Sequence, residues 1–348
     1  MTEFKTLLEA GDFRAGPGND ICDVTGVRVG HQNLRGDGRC TGVTAILPHG
    51  DDLYRNPVPA GCAVLNGFGK SSGLVQVEEL GEIETPILLT NTFGVGSCAN
   101  ALIRQAIGQN PGIGRGQATV NPLVLECNDG KVNDIQQLAV SEADAESAIS
   151  AAGDAFQQGA VGAGSGMKTF GFAGGIGSAS RHVPLDTGDY MLGALVLSNF
   201  GEAGSLRVLG NRITAPEAIA EPDTGSIIIL LATDAPMEAR QLTRLARRSA
   251  AALGRLGSYL GHQSGDIALA FSTANRIERG SQELHPIQRL CESRMNSFFK
   301  AGVETVEAAI LGALWHSTPQ QGYDGTRLPG FRETYQRHFQ DKQSVISA

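Results

Sequence analysis

The stretch Glu221-Pro222-Asp223-Thr224-Gly225-Ser226-Ile227-Ile228-Ile229-Leu230-Leu231-Ala232-Thr233-Asp234-Ala235-Pro236 changes character at a single peptide bond. A polar, turn-forming linker ends at Gly225, and an unbroken apolar run starts beside Ser226. A run this short, bounded by turn residues and rich in Ile, reads as a buried strand from Ser226 to Ala232. The junction also has chemistry. Glycine tolerates distortion of the peptide that follows it, and a serine hydroxyl can attack the preceding carbonyl in an N-to-O acyl shift. Once such a bond is hydrolysed, the serine carries an α-amino group titrating at about 7.7–8.0, a base attached to its own nucleophile. Gly-Ser pairs are common, however, and on local chemistry alone a turn opening into a strand is the simpler reading.

Working outward, short apolar runs punctuated by Gly and Pro occupy the first half: Val43 to Leu47, Cys62 to Leu65, Pro86 to Thr90 and Pro122 to Leu125. These read as further buried strands. Helical spacing appears over Ser97 to Ile107 and over Glu142 to Gln158, where Ala145, Ala148, Ile149, Ala152 and Phe156 recur on one face. Strands follow at Met191 to Leu197 and Ile267 to Phe271. After the central strand, Asp234 is placed to cap a helix with Pro236 in its first turn and Leu242, Leu245, Ser249, Leu253 and Leu256 facing inward. A long helix is expected from about His285 to Leu314, then a polar tail. The alternation of strands and helices assigns the α/β class.

Composition narrows the function. Of 348 residues, 41% are hydrophobic and 18% charged, a balance that buries a large core and does not support disorder. The 46 glycines are about twice the usual share and suit many tight turns and a site lined by main chain. A net charge of −8 argues against nucleic acid or an anionic membrane as partner and favours a small molecule or peptide. Arg240, Arg244, Arg247, Arg248 and Arg255 share a helix face, but with no interleaved aromatics this is a solvated or subunit-contact face. The six cysteines form no C-x-x-C pair, and the seven histidines form no H-E-x-x-H pair, so neither a metal nor a redox site is indicated. Neither a signal-like amino terminus nor an apolar stretch of membrane-spanning length is evident, and a cytoplasmic location is expected.

Two glycine motifs need weighing. Gly94-Val95-Gly96-Ser97-Cys98-Ala99 satisfies the letter of a dinucleotide-binding turn, which would make the chain an NAD(P)-dependent oxidoreductase. No acid follows at the distance a ribose contact needs, so a turn that packs a helix on a sheet is the better account. Gly69-Lys70-Ser71-Ser72-Gly73 matches both a nucleophile elbow and the end of a phosphate loop, each incompletely. His262, two residues before Ser264, is a candidate base.

The order of a further set of segments is more specific. Ile21-Cys22-Asp23-Val24-Thr25-Gly26-Val27-Arg28-Val29-Gly30-His31, Thr41-Gly42-Val43-Thr44 and Pro86-Ile87-Leu88-Leu89-Thr90-Asn91-Thr92 come first. Gly174-Gly175-Ile176-Gly177, Ser198-Asn199-Phe200-Gly201, Gly225-Ser226-Ile227-Ile228, Ala232-Thr233-Asp234-Ala235-Pro236 and Ser264-Gly265-Asp266 follow. Taken together the chain resembles the family of L-aminopeptidase/D-esterase enzymes and β-aminopeptidases, over nearly its whole length.

That resemblance implies a single hydrolase domain over residues 1–348, a layered sandwich of helices around β-sheets similar to the N-terminal-nucleophile hydrolases but with different strand connectivity. It implies self-cleavage between Gly225 and Ser226 into chains 1–225 and 226–348, and assembly of the cleaved pairs into a homotetramer. Ser226 falls on the family's nucleophile, Ser264 and Asp266 on its assisting serine and acid, and Asn199 on its oxyanion-stabilising asparagine. Glu126, in Glu126-Cys127-Asn128-Asp129-Gly130, falls on the acid that receives the substrate's amino group. Some relatives carry tyrosine where Asn128 stands, so no tyrosine role carries over. No cofactor or metal is implied, and the expected substrates are small peptides, amino-acid amides or esters. A non-catalytic relative that keeps the fold as one uncut binding protein is the remaining alternative.

Overall fold

The computed structural model describes residues 7–186, 188–216, 223–280 and 283–346. The central run forms a strand from Ser226 to Thr233, buried along its whole length, and its two faces serve two different cores. Ile227, Ile229 and Leu231 pack toward helices, whereas Ile228, Leu230 and Ala232 pack toward a second sheet. A strand with both faces covered needs no polar alternation, which is why the sequence reads as continuous Ile and Leu.

Ten strands build the two sheets. They are β1 (Arg28–Gly36), β2 (Arg39–Leu47), β3 (Val58–Gly67), β4 (Glu82–Ile83), β5 (Ile87–Asn91), β6 (Leu123–Cys127), β7 (Gly175–Leu185), β8 (Gly188–Asn199), β9 (Ser226–Thr233) and β10 (Gly265–Ser272). One sheet has the order β1-β2-β5-β6, the other β4-β3-β10-β9-β8-β7. Pairing is antiparallel except for β5 with β6 and β9 with β10, which are parallel. Parallel neighbours need a crossover, and helices supply it.

The sheets face each other across a core that includes Ile46, Leu89, Leu125, Leu197, Leu230 and Leu269. Outside the six-stranded sheet lie α4 (Ala239–Arg247), α5 (Ser249–Arg255) and α6 (Met295–His316), with Leu242, Leu245, Leu253 and Phe298 in the helix-side core. Outside the four-stranded sheet lie α2 (Val95–Gln109) and α3 (Glu142–Ser150), contributing Cys98, Leu102, Ala145 and Ala148. The short α1 (Leu74–Leu80) follows β3, and α7 (Phe331–Ile346) closes the chain. The result is helix, sheet, sheet, helix, the layered sandwich the sequence implied.

Several expected boundaries move, each for a visible reason. The helix from Glu142 ends at Ser150 instead of Gln158, because Gly153 exchanges backbone hydrogen bonds with Val29 at the edge of β1 (3.0 and 3.1 Å). Phe156 then packs edge-on against His31 rather than on the helix. Asp234 does not cap α4. Its carboxylate accepts from Met191 N–H at 2.7 Å, and Glu238 occupies the N-cap position. The last long helix starts at Met295, not His285, since the backbone of Leu290 is spent on Pro236 O (2.7 Å) and on the Gln241 side chain (2.8 Å). The polar tail is helical as α7, carrying Phe331 and Tyr335 into an aromatic cluster with Trp315.

Candidate active site

Strand register sets the site. Asn199, the last residue of β8, pairs directly with Ser226, the first of β9, and Ser226 pairs with Gly265, the first of β10. Three strand ends therefore present an amide, a hydroxyl and a main-chain N–H in one row. Asn199 follows Leu195 and Leu197, and Ser226 precedes Ile228 and Leu230, so alternation turns both side chains toward the space between the sheets. Both are buried.

The bond before Ser226 is held by main chain. Gly265 N–H donates to Gly225 O at 3.2 Å and reaches Ser226 Oγ at the same 3.2 Å, so one donor touches the carbonyl and the hydroxyl on either side of the junction. Glycine is required at both places. A Cβ on Gly225 would stand 2.0 Å from Asn199 O, and a Cβ on Gly265 would stand 2.6 Å from Phe68 O and 3.1 Å from Ser226 Oγ. On the other side, Asp223 Oδ1 accepts from Gly201 N–H (3.0 Å) and from Gly225 N–H (3.3 Å).

Ser264 and Asp266 flank Gly265. Ser264 Oγ donates to Asp266 Oδ1 at 2.6 Å, both residues are buried, and Asp266 Oδ2 has no partner. Burial pushes the Asp266 carboxyl up to about 6; the hydrogen bond from Ser264 opposes the rise and the Asp223 charge adds to it. A carboxyl placed there is ionised at neutral pH yet basic enough to take a proton.

Asn199 is oriented by two main-chain groups. Its Oδ1 accepts from Lys168 N–H (2.8 Å), which fixes the amide so that Nδ2 donates to Asn128 O (3.0 Å) and keeps a second proton to offer. Asn128 contributes through that carbonyl, while its exposed side chain accepts from Gly130 N–H and shapes the turn.

Glu126 is the penultimate residue of β6 on the other sheet and is buried. Its Oε1 accepts from Lys70 N–H at 2.8 Å and its Oε2 from the Thr92 hydroxyl. The loop Phe68–Lys70 joins the two sheets here. Phe68 N–H bonds to Ser264 O, and a Cβ on Gly69 would lie 3.4 Å from Ile267 Cδ1 and 3.7 Å from Glu126 Oε1. The Gly69-Lys70-Ser71-Ser72-Gly73 segment is thus a wall of the site, not a phosphate loop. A cleft of about 290 Å³ opens at Gly225, lined by Asn128, Lys131, Lys168, Asn199 and Gly201 among others.

His262 is exposed, in contrast to the buried Ser264 two residues on. Gly94 is the N-cap of α2, its N–H on Asn91 Oδ1 at 2.8 Å, and a Cβ there would stand 2.4 Å from Thr90 Oγ1, so the turn serves packing. Reading the sequence alone missed Gly265 N–H, Asp223 and the donors on Glu126. Asp223 had a signal, an acid two residues before the junction; the others are main-chain or hydroxyl contacts that no motif spells. Among the described residues no cluster of three or more His, Cys, Asp or Glu is arranged to hold a metal ion.

Two facing sheets between helix layers, with a buried serine at the head of a central strand, match the architecture expected of an N-terminal-nucleophile hydrolase. The chain belongs to peptidase family S58, whose pattern matches residues 19–328, and it is an aminopeptidase. A β-peptidyl aminopeptidase, BapA, of Sphingosinicella microcystinivorans is 38% identical, with 91% of this chain and 87% of that protein aligned. Among solved structures, a protein of Pyrococcus horikoshii superposes with a TM-score of 0.89 at 42% identity, covering 96% of this chain and 97% of its own. The L-aminopeptidase D-Ala-esterase/amidase of Ochrobactrum anthropi, described as a prototype for the serine aminopeptidases and a new variant among the Ntn hydrolase fold, gives 0.86 at 33% identity, covering 95% and 96%. These relatives support a hydrolase and not a dinucleotide-dependent oxidoreductase.

Proposed function

We propose that the chain cuts itself between Gly225 and Ser226 into 1–225 and 226–348, and that Ser226 then serves as the nucleophile of a serine aminopeptidase. The observation that carries this is the single Gly265 N–H shared by Gly225 O and Ser226 Oγ. In the first reaction Ser226 Oγ adds to the Gly225 carbonyl, the C–N bond breaks, and the freed amine becomes the amino terminus of Ser226. Water then hydrolyses the ester.

In turnover Ser226 Oγ attacks the carbonyl of a substrate's first residue, and its proton passes to its own amine or to the Ser264–Asp266 pair before reaching the leaving group. Asn199 Nδ2 holds the oxyanion, a contact worth a few kcal/mol in such sites. Glu126 receives the substrate ammonium and restricts cleavage to a free amino terminus. Small peptides, amino-acid amides and esters all present the required carbonyl. The proposal extends to a homotetramer of cleaved pairs, for which exposed Val64 on β3, Phe68 in the loop after it, and Val75 and Leu80 on α1 offer apolar surface. It also extends to a cytoplasmic location, consistent with six free cysteines.

Denaturing electrophoresis with amino-terminal sequencing tests the reading. Wild type should give two fragments, the smaller beginning Ser226-Ile227, and Ser226→Ala a single uncut chain. An active enzyme that stays wholly uncut overturns it.

A further inference from the structure

Asp223 is a poor residue for stability alone. It is buried, its Oδ1 serves two backbone N–H groups, and its Oδ2 has no partner. A buried carboxylate oxygen left unpaired carries a desolvation cost, and such a group in a folded protein calls for an explanation. The residue lies two positions before the junction that the proposed function has as the cleaved bond, and the inference rests on that reading.

The Asp223 contacts fix the segment from its amino-terminal side. Gly225 N–H on Asp223 Oδ1 closes a local turn, and Gly201 N–H on the same oxygen ties that turn to the residues just after Asn199. Gly261 makes room for it, since a Cβ there would stand 2.5 Å from Asp223 O and 2.7 Å from Asp223 Cβ. From the far side Gly265 N–H holds the Gly225 carbonyl and touches Ser226 Oγ. Gly225 is therefore gripped on both sides, at its N–H by Asp223 and at its C=O, the carbonyl of the scissile bond, by Gly265. Attack within a chain gains most when the reacting atoms are kept together, and rotation about Gly225 would otherwise be free.

We propose that Asp223 is the positioning residue of self-cleavage, clamping Gly225 through its carboxylate so that the carbonyl carbon faces Ser226 Oγ, and that it serves maturation rather than turnover. After the cut it belongs to a chain terminus that no longer spans the reaction.

The test follows the rate of self-cleavage of purified uncut precursor, and separately kcat/KM per mole of cleaved protein after prolonged incubation. Asp223→Ala removes the acceptor and should slow self-cleavage at least about tenfold, while turnover per cleaved molecule changes less than about threefold. Asp223→Asn keeps an acceptor oxygen in place and should restore cleavage to within about threefold of wild type. Thermal melts check folding. If the alanine variant does not fold, Asp223→Glu replaces it, because one more methylene moves the acceptor while keeping the charge, and it should also slow cleavage at least tenfold. Wild-type cleavage in the alanine or glutamate variant, or equal losses in cleavage and turnover, overturns the proposal. Wild type that never cuts at Ser226 instead overturns the reading beneath it, which keeps the two failures apart.

Discussion

Each sheet brings a buried carboxylate to the same end of the sandwich, and the two are held differently. Glu126, on the four-stranded sheet, has both oxygens engaged, one by Lys70 N–H and one by the Thr92 hydroxyl. Asp266, on the six-stranded sheet, has one oxygen on Ser264 Oγ and the other buried without a partner. Two donors fix the direction of a carboxylate and suit it to receive a charge. One donor and an empty lone pair leave a carboxyl whose proton affinity is set by burial, and Asp266 is pushed up to about 6 accordingly. On the proposed function, this contrast would separate recognition from proton transfer without any difference in residue chemistry.

The contrast breaks most sharply at Asp266. Asp266→Asn should lower kcat by about a hundredfold or more, the range of a general base, and a kcat within a factor of three in steady-state assays would reassign it to structure. Glu126→Gln removes only the charge. Its kcat/KM on amino-acid p-nitroanilides should fall about ten- to a hundredfold, self-cleavage should be spared, and N-acetylated substrates should be poor even for wild type. If acetylated and free-amine compounds are hydrolysed alike, the recognition role is lost.

A smaller effect sharpens the proton-transfer side. Since Asp266 must be ionised to accept a proton, kcat/KM should fall as pH drops through about 6, by about tenfold for each further unit, and Asp266→Asn should abolish that limb. A limb at the ordinary carboxylate range would exclude Asp266 as its source. The smallest effect concerns Asp129, in the turn after Glu126, whose carboxyl burial also pushes up to about 6 against hydrogen bonds from Thr41, Asn133 and Asn91. Because its folded pKa lies above its unfolded value, its contribution to stability is greatest below about 3.9 and is lost as pH rises through about 6. Asp129→Asn should therefore raise Tm at pH 8 by about 2–4 °C and change it little at pH 4, as read by thermal melts. A uniform loss at both pH values would show that the amide does not fit.

The sequence made the central strand and the order of its motifs legible because both rest on local signals, an apolar run bounded by turn residues and side chains of definite chemistry. Asn199, Ser226 and Gly265 meet in register at neighbouring strand ends, with Ser264 and Asp266 on either side of Gly265 and Glu126 next to the end of β6. What stayed hidden was decided by distant partners. The helix expected to reach Gln158 stops because β1 recruits Gly153, and the last long helix does not begin at His285 because Leu290 is bonded to Pro236 and Gln241, so that only the 3-10 turn Glu292–Arg294 precedes Met295. Asp234 looked like a cap by spacing, yet Met191 N–H lay closer to hand. Gly265 carries no side chain at all, so its N–H was invisible to any reading of residue types.

The parallel pairing of β9 with β10 has a consequence for the life of the molecule. Ser226 meets Gly265 only after residues 234 to 264 have wrapped α4 and α5 over the sheet and returned the chain to the same end. Under the proposed self-cleavage, a chain stalled before that crossover has the serine but not the N–H beside it and would stay uncut. Cleavage would then act as a certificate of assembly. The ratio of cut to uncut protein would count the molecules that completed their core.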